Sequence, residues 1–402
     1  MTERLPLEGL KVLDVATWIA APAAAVVLGD YGADVIKVEQ PGEGDPNRTN
    51  INLAHFPKSA TNYPWHLDSR NKRSVALDLK HPDGRDALDR LIRQSDVLIT
   101  NFPFPVRDRL KLRYEDVSPL NPRLIFASFS GYGEDGPDKN QPGFDSNAYF
   151  ARAGIVDSGR YEGQPPAFSL PAQGDRASAL GLVSGILMAL FDRERTGKGG
   201  MVASSLYANG LWSNGVMAQA ALVDSYIGLR PPRHLPRNAL ANIYRTKDDR
   251  WIQLSVVREE KLWSIFCKAI GQPNLEHDPR FVETPVRRRH AAELTAILDE
   301  AFRTRDWPHW REIFVAHGIT HAPIARLSDL PGDIQAEAAG AVVGTDIPGM
   351  PRTIAAPFQI AGQTPRKARP GPDLGANTDA ILEEAGLSKT EIAELKRKGA
   401  AA

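Results

Sequence analysis

The sequence predicts an α/β protein in which a parallel, doubly wound sheet is accompanied by a second, smaller unit. Short apolar segments alternate with helical patterns over the first 130 residues, which is typical of parallel sheets. A separate set of strand and helix patterns follows an Arg-Pro-Pro stretch at residues 230–233, which is interpreted as a linker. The length, 402 residues, also exceeds what one hydrophobic core normally serves, so more than one domain is expected.

The predicted elements of the first part follow each other in strand–helix order. The first helix, Ala21–Asp30, ends at Tyr31-Gly32, a glycine C-cap signal, and the second covers Asp83–Gln94. Long helical patterns then run from Arg176 to about Val223. Sheets of this kind bind ligands at the carboxyl ends of their strands. The predicted strands are Lys11–Ala16, Val35–Glu39, Arg73–Leu79, Val97–Thr100 and Leu124–Ser130.

The second unit has its own strand and helix patterns. Its predicted strands are Trp251–Val257 and Ala322–Ala325. Its predicted helices are Glu259–Ile270, Arg289–Arg303 and Trp307–Ala316. The remaining tail passes through Gly371–Leu374 and predicts two short helices, Thr378–Ala385 and Thr390–Lys398.

The composition argues against several classes of protein. Lys+Arg and Asp+Glu both total 49, so a basic nucleic-acid binder or an acidic disordered tail is not expected. The single cysteine, Cys267, cannot form an internal disulfide and is interpreted as a small buried residue on a helix. The longest apolar runs, Trp18–Gly29 and Gly181–Phe191, are shorter than the ~20 residues a bilayer needs. A cytoplasmic protein is expected.

Two motifs resemble ligand sites without meeting their requirements. Gly131–Gly136 fits G-x-G-x-x-G after a predicted strand, but the two prolines in residues 137–142 predict a loop rather than the helix that phosphate binding needs. His317 and His321 are four residues apart, yet Gly318 breaks the helix that would align them, so no metal site is predicted.

Asp175 stands out as an acidic residue between Gly174 and an apolar helical pattern over Ala179–Phe191. A carboxylate at this point can be an N-cap that satisfies free backbone N–H groups. The alternative is a functional carboxylate, held at a helix start and facing a cleft. The residues alone favour the N-cap interpretation.

The chain resembles the class III CoA-transferases, the family of formyl-CoA transferase and carnitine CoA-transferase, over nearly its whole length. The matching pieces share the family's order and spacing, which together are specific although each piece alone is not. They are Gly32–Glu39, Asn71–Lys80, Asn101-Phe102 with Arg109-Leu110, Pro142–Gly154, Gln173–Gly199, Asn242–Trp251, Asp278–Phe281 and Gly371–Glu384.

The resemblance implies a covalent transferase that uses acyl-CoA as a substrate and needs no tightly bound cofactor. The aspartate matching Asp175 is the family's nucleophile, which forms a mixed anhydride with the donor acyl group and then an aspartyl-CoA thioester. Lys80 and Arg109 are expected to hold CoA phosphates, and Trp18 and Phe102 to pack against the adenine or the pantetheine arm. For Leu77 and Phe102, ordinary core packing stays open as the alternative to a CoA contact. For Lys80, the alternative is a solvated residue at a strand end. The positions matching the family's CoA contacts are Trp18, Leu77, Lys80, Asn101, Phe102 and Arg109.

The resemblance also implies an architecture. A large Rossmann-like, CoA-binding domain is expected from both chain ends, residues 1–225 and 331–402, with a small domain over residues 226–330. Two chains of the family interlink like rings, so a homodimer is expected. A small carboxylic acid is the expected acceptor, and no nucleic acid or membrane partner is expected.

Two departures from the family pattern bear on the reaction. The glycine-rich loop of the formyl-CoA member is replaced by Gly228–Asn238, which contains one glycine and two adjacent prolines, so the formyl/oxalate pair is not implied. The basic CoA contact after the second strand is replaced by Gln40. The identity of the acids is not readable from the sequence.

Two other functions are compatible with the same fold. An acyl-CoA racemase moves an α-proton with a histidine in a Gly-His-Asp turn, but this turn reads Gly143-Phe144-Asp145, and phenylalanine cannot carry a proton. A CoA-binding protein without chemistry is the other alternative, and the retained Gly174-Asp175 context argues against it.

Overall fold

The computed structural model describes residues 4–54, 56–167, 169 and 171–402. It divides into two units. The first comprises Met1–Val156, Phe168–Asp224 and Ile334–Ala402, and the second Asp157–Ala167 and Ser225–Asp333. Asp157–Ala167 therefore lies in the second unit, whereas the sequence assigned it to the first. The reason is local, because Glu162 donates a backbone hydrogen bond to Arg230, and Arg230 lies over the ring of Tyr161.

The strands of the described residues are labelled in chain order. They are β1 (Lys11–Asp14), β2 (Asp34–Glu39), β3 (Arg73–Ala76), β4 (Val97–Thr100), β5 (Ile125–Ser130), β6 (Gly200–Ser205), β7 (Ile243–Arg245), β8 (Trp251–Leu254), β9 (His321–Pro323), β10 (Val342–Ile347) and β11 (Met350–Ile354).

The α-helices of the described residues are labelled in the same way. They are α1 (Ala20–Asp30), α2 (Tyr63–Ser69), α3 (Pro82–Arg93), α4 (Phe104–Leu110), α5 (Tyr114–Val117), α6 (Ile155–Ser158), α7 (Gln173–Thr196), α8 (Leu206–Ser213), α9 (Gly215–Leu222), α10 (Glu259–Ala269), α11 (Thr284–Arg289), α12 (Ala291–Phe302), α13 (Trp307–Ala316), α14 (Ile334–Ala338), α15 (Thr378–Glu384) and α16 (Lys389–Arg397). A π-helical turn covers Asp145–Ala151, and 3₁₀ turns cover Pro46–Asn52, Pro273–His277 and Leu327–Gly332.

Six parallel strands form the sheet of the first unit, in the order β3-β2-β1-β4-β5-β6. The prediction of a parallel α/β sheet is confirmed, and the order is that of a doubly wound Rossmann-type sheet. Helices on both faces bury two apolar clusters. Leu13, Val75 and Phe126 belong to one cluster, and Ile99 and Ile125 belong to the other.

The sixth strand was not predicted. Residues 200–205 lie in the stretch where the sequence predicted long helical patterns, whereas the structure has strand β6 there, between α7 and α8. β6 pairs with the whole length of β5, from Ile125–Gly200 to Ser130–Ser205. Tertiary pairing with β5 outweighs the local preference here, because a strand is stabilised mainly by its neighbours.

Helix α7 has one face in the core. Ala179, Leu182, Val183 and Ile186 are buried in the cluster that also contains the alanines of α1. Among the described residues, α7 is the helix that is long and apolar enough to cross a membrane by length and composition, and 39% of its most apolar window is buried. The core helix of a globular domain has the same properties.

The outer edge of the sheet, at β3, is covered by residues from the far end of the chain. Asn377 accepts a hydrogen bond from the backbone N–H of Ser74, 303 positions away, and donates its own N–H to the Ser74 carbonyl. Leu77 forms a β-bridge with Ala401. Helices α15 and α16 add Ile381 and Leu395 to the core beside β3. The first unit is therefore built from segments that are distant in sequence.

The second unit is organised around a three-stranded antiparallel sheet, in the order β7-β8-β9. Its core contains many aromatic side chains, and the rings of Phe302 and Trp310 meet edge to face at 5.1 Å between centroids. Cys267 is buried in this core on α10, where burial raises the pKa of its thiol to about 12, as its interpretation as a packing residue requires.

Candidate active site

The order of the sheet reverses direction between β1 and β4, and their carboxyl ends border the crevice where ligands of such sheets bind. Asn101 follows β4 directly. Its Oδ1 accepts the Thr17 backbone N–H at 2.9 Å, and its Nδ2 donates to the Thr17 carbonyl at 2.7 Å. The predicted contact Asn101 thus joins the two strand ends through its side-chain amide.

Trp18 lies in this crevice, beside Thr17. Its backbone adopts the left-handed region, with φ of 66°, and its N–H donates to Asp45 Oδ1 at 3.0 Å. The indole is 38% exposed and meets the ring of Phe144 edge to face at 6.1 Å between centroids. Trp18 therefore has an exposed aromatic surface, and its packing against CoA stays a prediction.

A buried ionic network holds the loop that carries Asp45. Lys37 lies 2.7 Å from Asp45 and donates to the Ala16 carbonyl at 2.8 Å, while Lys72 donates to Asp14 at 2.7 Å. Burial opposes charge on both Lys37 and Asp14, but their opposite charges prevail, so the pKa of Lys37 lies above its usual value and that of Asp14 below. Removing one member would leave a buried charge unpaired.

Asp175 is the third residue of α7, two positions after the helix begins at Gln173. The N-cap position belongs to Ala172, which has φ of 66° and makes no side-chain cap bond. The N-cap interpretation of Asp175 is therefore wrong. The helix also starts six residues before the predicted apolar pattern, because its first turn packs on the π-helical turn: a Cβ added to Gly174 would lie 2.6 Å from Tyr149 Cγ.

The carboxyl group of Asp175 has a pKa raised to about 7. Burial is the largest cause, followed by the negative charges of Asp145 and Asp68, while Arg176 acts in the opposite direction. A helix N-terminus would favour the charged form, so burial and like charges outweigh the helix dipole here. Such a perturbed acid is a feature of functional sites.

Asp68 and Arg176 form an ion pair beside Asp175. Asp68 is 2% exposed and also accepts a hydrogen bond from Asn47 Nδ2 at 3.2 Å. Burial raises the pKa of Asp68 even though Arg176 opposes it. The pair ties the start of α7 to α2 and to the 3₁₀ turn at Pro46–Asn52.

The remaining predicted CoA contacts differ in how accessible they are. Lys80 and Arg109 are exposed, the first just after β3 and the second on α4, and Phe102 is half-buried. Leu77 is fully buried in the core beside β3. The structure therefore favours the core alternative for Leu77, whose side chain is not accessible to a ligand.

Sequence reasoning missed Arg107 and Asp145. Arg107 is buried on α4, and its guanidinium donates to the Phe102 carbonyl at 2.6 Å and the Phe129 carbonyl at 2.9 Å. It thereby fixes the loop after β4. Asp145 is 7% exposed at the start of the π-helical turn, and the Gly143-Phe144-Asp145 turn was the available signal. No group of three or more His, Cys, Asp or Glu side chains suited to a metal ion occurs within residues 4–54, 56–167, 169 and 171–402.

Comparison with known proteins assigns a family model to almost the whole chain. Residues 7–378 match the model described as CoA-transferase family III. The chain is 32% identical over 393 residues to (R)-2-hydroxy-4-methylpentanoate CoA-transferase of Clostridioides difficile, covering 97% of this chain and 98% of the relative. It is 30% identical to formyl-CoA:oxalate CoA-transferase of Escherichia coli O157:H7, covering 98% and 99% of the two chains.

A solved structure has the same overall architecture. The crystal structure of a CAIB/BAIF family protein from Brucella suis superposes with a TM-score of 0.84 at 27% sequence identity. The match covers 95% of this chain and 100% of that chain.

Proposed function

The chain belongs to CoA-transferase family III and is an enzyme of that family, and from this premise we propose that Asp175 is the nucleophile that carries the acyl group and then CoA. The observation that carries the proposal is the half-buried Asp175 carboxyl at the start of α7, with its pKa raised to about 7. A carboxylate of this basicity is a better nucleophile than an ordinary aspartate, and above pH 7 it is ionised without a base.

The first half of the reaction forms two covalent bonds to Asp175. One carboxylate oxygen attacks the donor acyl carbon, the C–S bond breaks, and CoA leaves as a thiolate. The product is a mixed anhydride. The thiolate then attacks the aspartyl carbonyl carbon, the anhydride C–O bond breaks, and the donor acid leaves with its carboxylate. Asp175 is now a CoA thioester.

The second half reverses these steps with the acceptor. The acceptor carboxylate attacks the aspartyl thioester, the thiolate is released again, and a second anhydride forms. The thiolate attacks the acceptor acyl carbon, which yields acyl-CoA and frees the Asp175 carboxylate. Backbone amides in the first turn of α7, apart from that of Gly174, which interacts with Asp145, are suited to stabilise each oxyanion. Trp18, Asn101, Phe102, Lys80 and Arg109 are the proposed CoA contacts, and CoA bound in this way need not diffuse away between the steps.

An oxygen-isotope experiment tests the covalent route. Each turnover with an acceptor acid labelled in both carboxylate oxygens should place one heavy oxygen on Asp175, because the bridging oxygen stays with the aspartate when CoA attacks the acceptor acyl carbon. Mass spectrometry of the peptide containing Asp175 measures it. The matched control is Asp192, an exposed aspartate of the same helix, which should stay unlabelled. An unlabelled Asp175 after many turnovers would exclude the anhydride mechanism.

The two relatives named above act on different acids, so family membership alone does not identify the acceptor. A screen of acyl-CoA donors against short monocarboxylic, 2-hydroxy and dicarboxylic acids would define it. A cytoplasmic location and the lack of a tightly bound cofactor stay predictions.

We also propose that the protein is a homodimer. Large apolar side chains are exposed on neighbouring elements of the first unit, Met188 and Phe191 on α7 and Trp212 on α8, each at least 70% exposed. β6, beside them, is an edge strand of the sheet. A second copy of the chain is the proposed cover for this face, as in the ring-like dimers that the family resemblance implies. Light scattering should give twice the chain mass, and Phe191→Asp should lower it; a folded wild-type monomer at micromolar concentration would refute the proposal.

A further inference from the structure

The N-cap residue of α7 supplies no side-chain cap to the first turn of this helix. Ala172 occupies the N-cap position, its side chain has no hydrogen-bonding atom, and its left-handed backbone is unfavourable for a residue other than glycine. The N–H groups of a first helical turn have no partner within the helix. A group from another element is therefore suited to fix the turn on which Asp175 stands.

Asp145 supplies a carboxylate at this point. It opens the π-helical turn Asp145–Ala151 and is 93% buried, as its exposed fraction of 7% shows. Backbone amides of Ser146, Gly174 and Ala172 interact with it and favour its charged form. Its Oδ2 has no hydrogen-bond partner within the part of the chain that the structure describes. The acid thus belongs to the turn but is aligned with the start of α7.

The contact between the turn and the helix is tight. Tyr149, four residues after Asp145, packs directly on Gly174, leaving no space for a Cβ there. The Tyr149 hydroxyl forms a hydrogen bond of 2.6 Å with Ser213 Oγ on α8. The turn is therefore held from both sides, and Asp145 cannot move away from α7 without unpacking it.

Charge connects this geometry to the reaction. The groups that act on Asp175 are Asp145 on the π-helical turn, Asp68 on α2 and Arg176 on α7 itself. Asp68 is paired with Arg176, so its charge is largely compensated, whereas burial raises the pKa of Asp145 and no cation among the described residues pairs with it. When Asp175 is acylated it becomes neutral, and its repulsion from Asp145 is relieved. The repulsion therefore favours acylation over the free carboxylate.

We propose that Asp145 is a positioning residue for Asp175: it fixes the first turn of α7, whose N-cap residue makes no side-chain bond, and keeps an uncompensated carboxylate beside the nucleophile. The proposal rests on the proposed function of Asp175. It assigns Asp145 no contact with substrate, and it gives the Gly143-Phe144-Asp145 turn a role in transfer rather than in proton abstraction.

Two substitutions separate charge from position. Asp145→Asn keeps the size and an oxygen acceptor but removes the charge. The acid limb of the kcat/KM profile should move about one pH unit toward acid, because one like charge no longer opposes ionisation of Asp175. The plateau at high pH should fall by up to about tenfold, because one pKa unit corresponds to a factor of ten in equilibrium. Asp145→Glu keeps the charge and displaces it, so the limb should stay in place while kcat falls by about tenfold or more.

The matched control is Asp192→Asn on α7, which removes the same charge from an exposed site about 25 Å further along the helix. It should leave both the limb and the plateau unchanged. An Asp145→Asn limb that coincides with wild type, or an Asp145→Glu variant with full kcat, would overturn the proposal. An acid limb near pH 4 in the wild-type kcat/KM profile would also overturn the proposal, whether or not the Asp145→Asn variant folds.

Asp175→Asn, assayed alongside, distinguishes a failure of the covalent function from a failure of the positioning role. If it is active, the covalent function fails, and the role of Asp145 fails with it. If it is inactive while Asp145→Asn leaves the profile unshifted, the covalent function stands and the positioning role alone is refuted.

Discussion

Asp175→Asn should make the protein more stable while abolishing transfer. In the folded chain, burial and the charges of Asp145 and Asp68 raise the pKa of Asp175 to about 7, against the ordinary value of 3.8. Above pH 7 the folded protein therefore holds a carboxylate in an environment that disfavours it. Asparagine mimics the neutral form and removes that cost.

The magnitude follows from the difference of about three pKa units, which at 1.36 kcal/mol per unit corresponds to ~4 kcal/mol at most. Because the side chain is not fully removed from solvent, we expect a gain of about 1–3 kcal/mol in the free energy of unfolding at pH 8. The folded protein binds more protons than the unfolded chain between about pH 4 and 7, so wild-type stability falls as the pH rises through this window. The extra free energy of unfolding of Asp175→Asn over wild type should vanish near pH 4, grow toward pH 7 and stay constant above pH 7.

Urea unfolding at pH 4.5, 6 and 8 measures this difference, with equal m-values as the check that both proteins unfold in the same way. Asp192→Asn is the control, since neutralising an exposed aspartate of the same helix should change stability by no more than about 0.5 kcal/mol. Equal stability of Asp175→Asn and wild type at pH 8, or a gain that increases toward acid pH, would refute the argument about burial and like charge.

Three further outcomes follow from the same geometry. Gly174→Ala should destabilise the protein by about 1–3 kcal/mol and lower kcat, because the added methyl overlaps the tyrosine packed on this glycine. Gly215→Ala, whose added methyl meets open space, is the control and should be neutral. Equal thermal midpoints of the Gly174→Ala and Gly215→Ala variants would contradict this. Lys80→Ala and Arg109→Ala should each weaken CoA binding in calorimetry by about 0.5–1.5 kcal/mol, since both side chains are exposed. Unchanged affinity in both variants would mean that the two residues are ordinary surface charges. Racemisation should be absent because Phe144 cannot carry a proton: deuterium entering the α-carbon of a 2-methylacyl-CoA at a rate comparable to turnover would overturn this.

The parallel sheet could be predicted because its first five strands are apolar segments separated by helical patterns, and each is found within a few residues of its predicted bounds. β6 could not, because only Ser205 of Gly200–Ser205 is buried and its apolar residues, Met201–Ala203, form too short a run to predict a strand. Its strand conformation depends on pairing with β5, which no local pattern reports.

At the candidate site, the sequence singled out Asp175 but not what surrounds it. The start of α7 at Gln173 depends on contacts with a turn more than twenty residues earlier, and the raised pKa of Asp175 depends on burial and on two aspartates from other segments. Leu77 was a false candidate: its position matched a family contact with CoA, yet its side chain is fully buried in the core. Spatial neighbours decide both cases, and a single sequence does not report them.

The covering of β3 by residues 377–402 has a consequence for biosynthesis. Asn377 follows Ser74 by 303 positions. At a translation rate of 5–20 residues per second, the edge of β3 therefore stays uncovered for about 15–60 s during synthesis. During that interval a nascent chain presents an open strand edge that other chains can pair with. Slower initiation, which spaces ribosomes further apart on the message, should therefore increase the soluble yield of this protein more than that of a domain whose sheet edge closes locally.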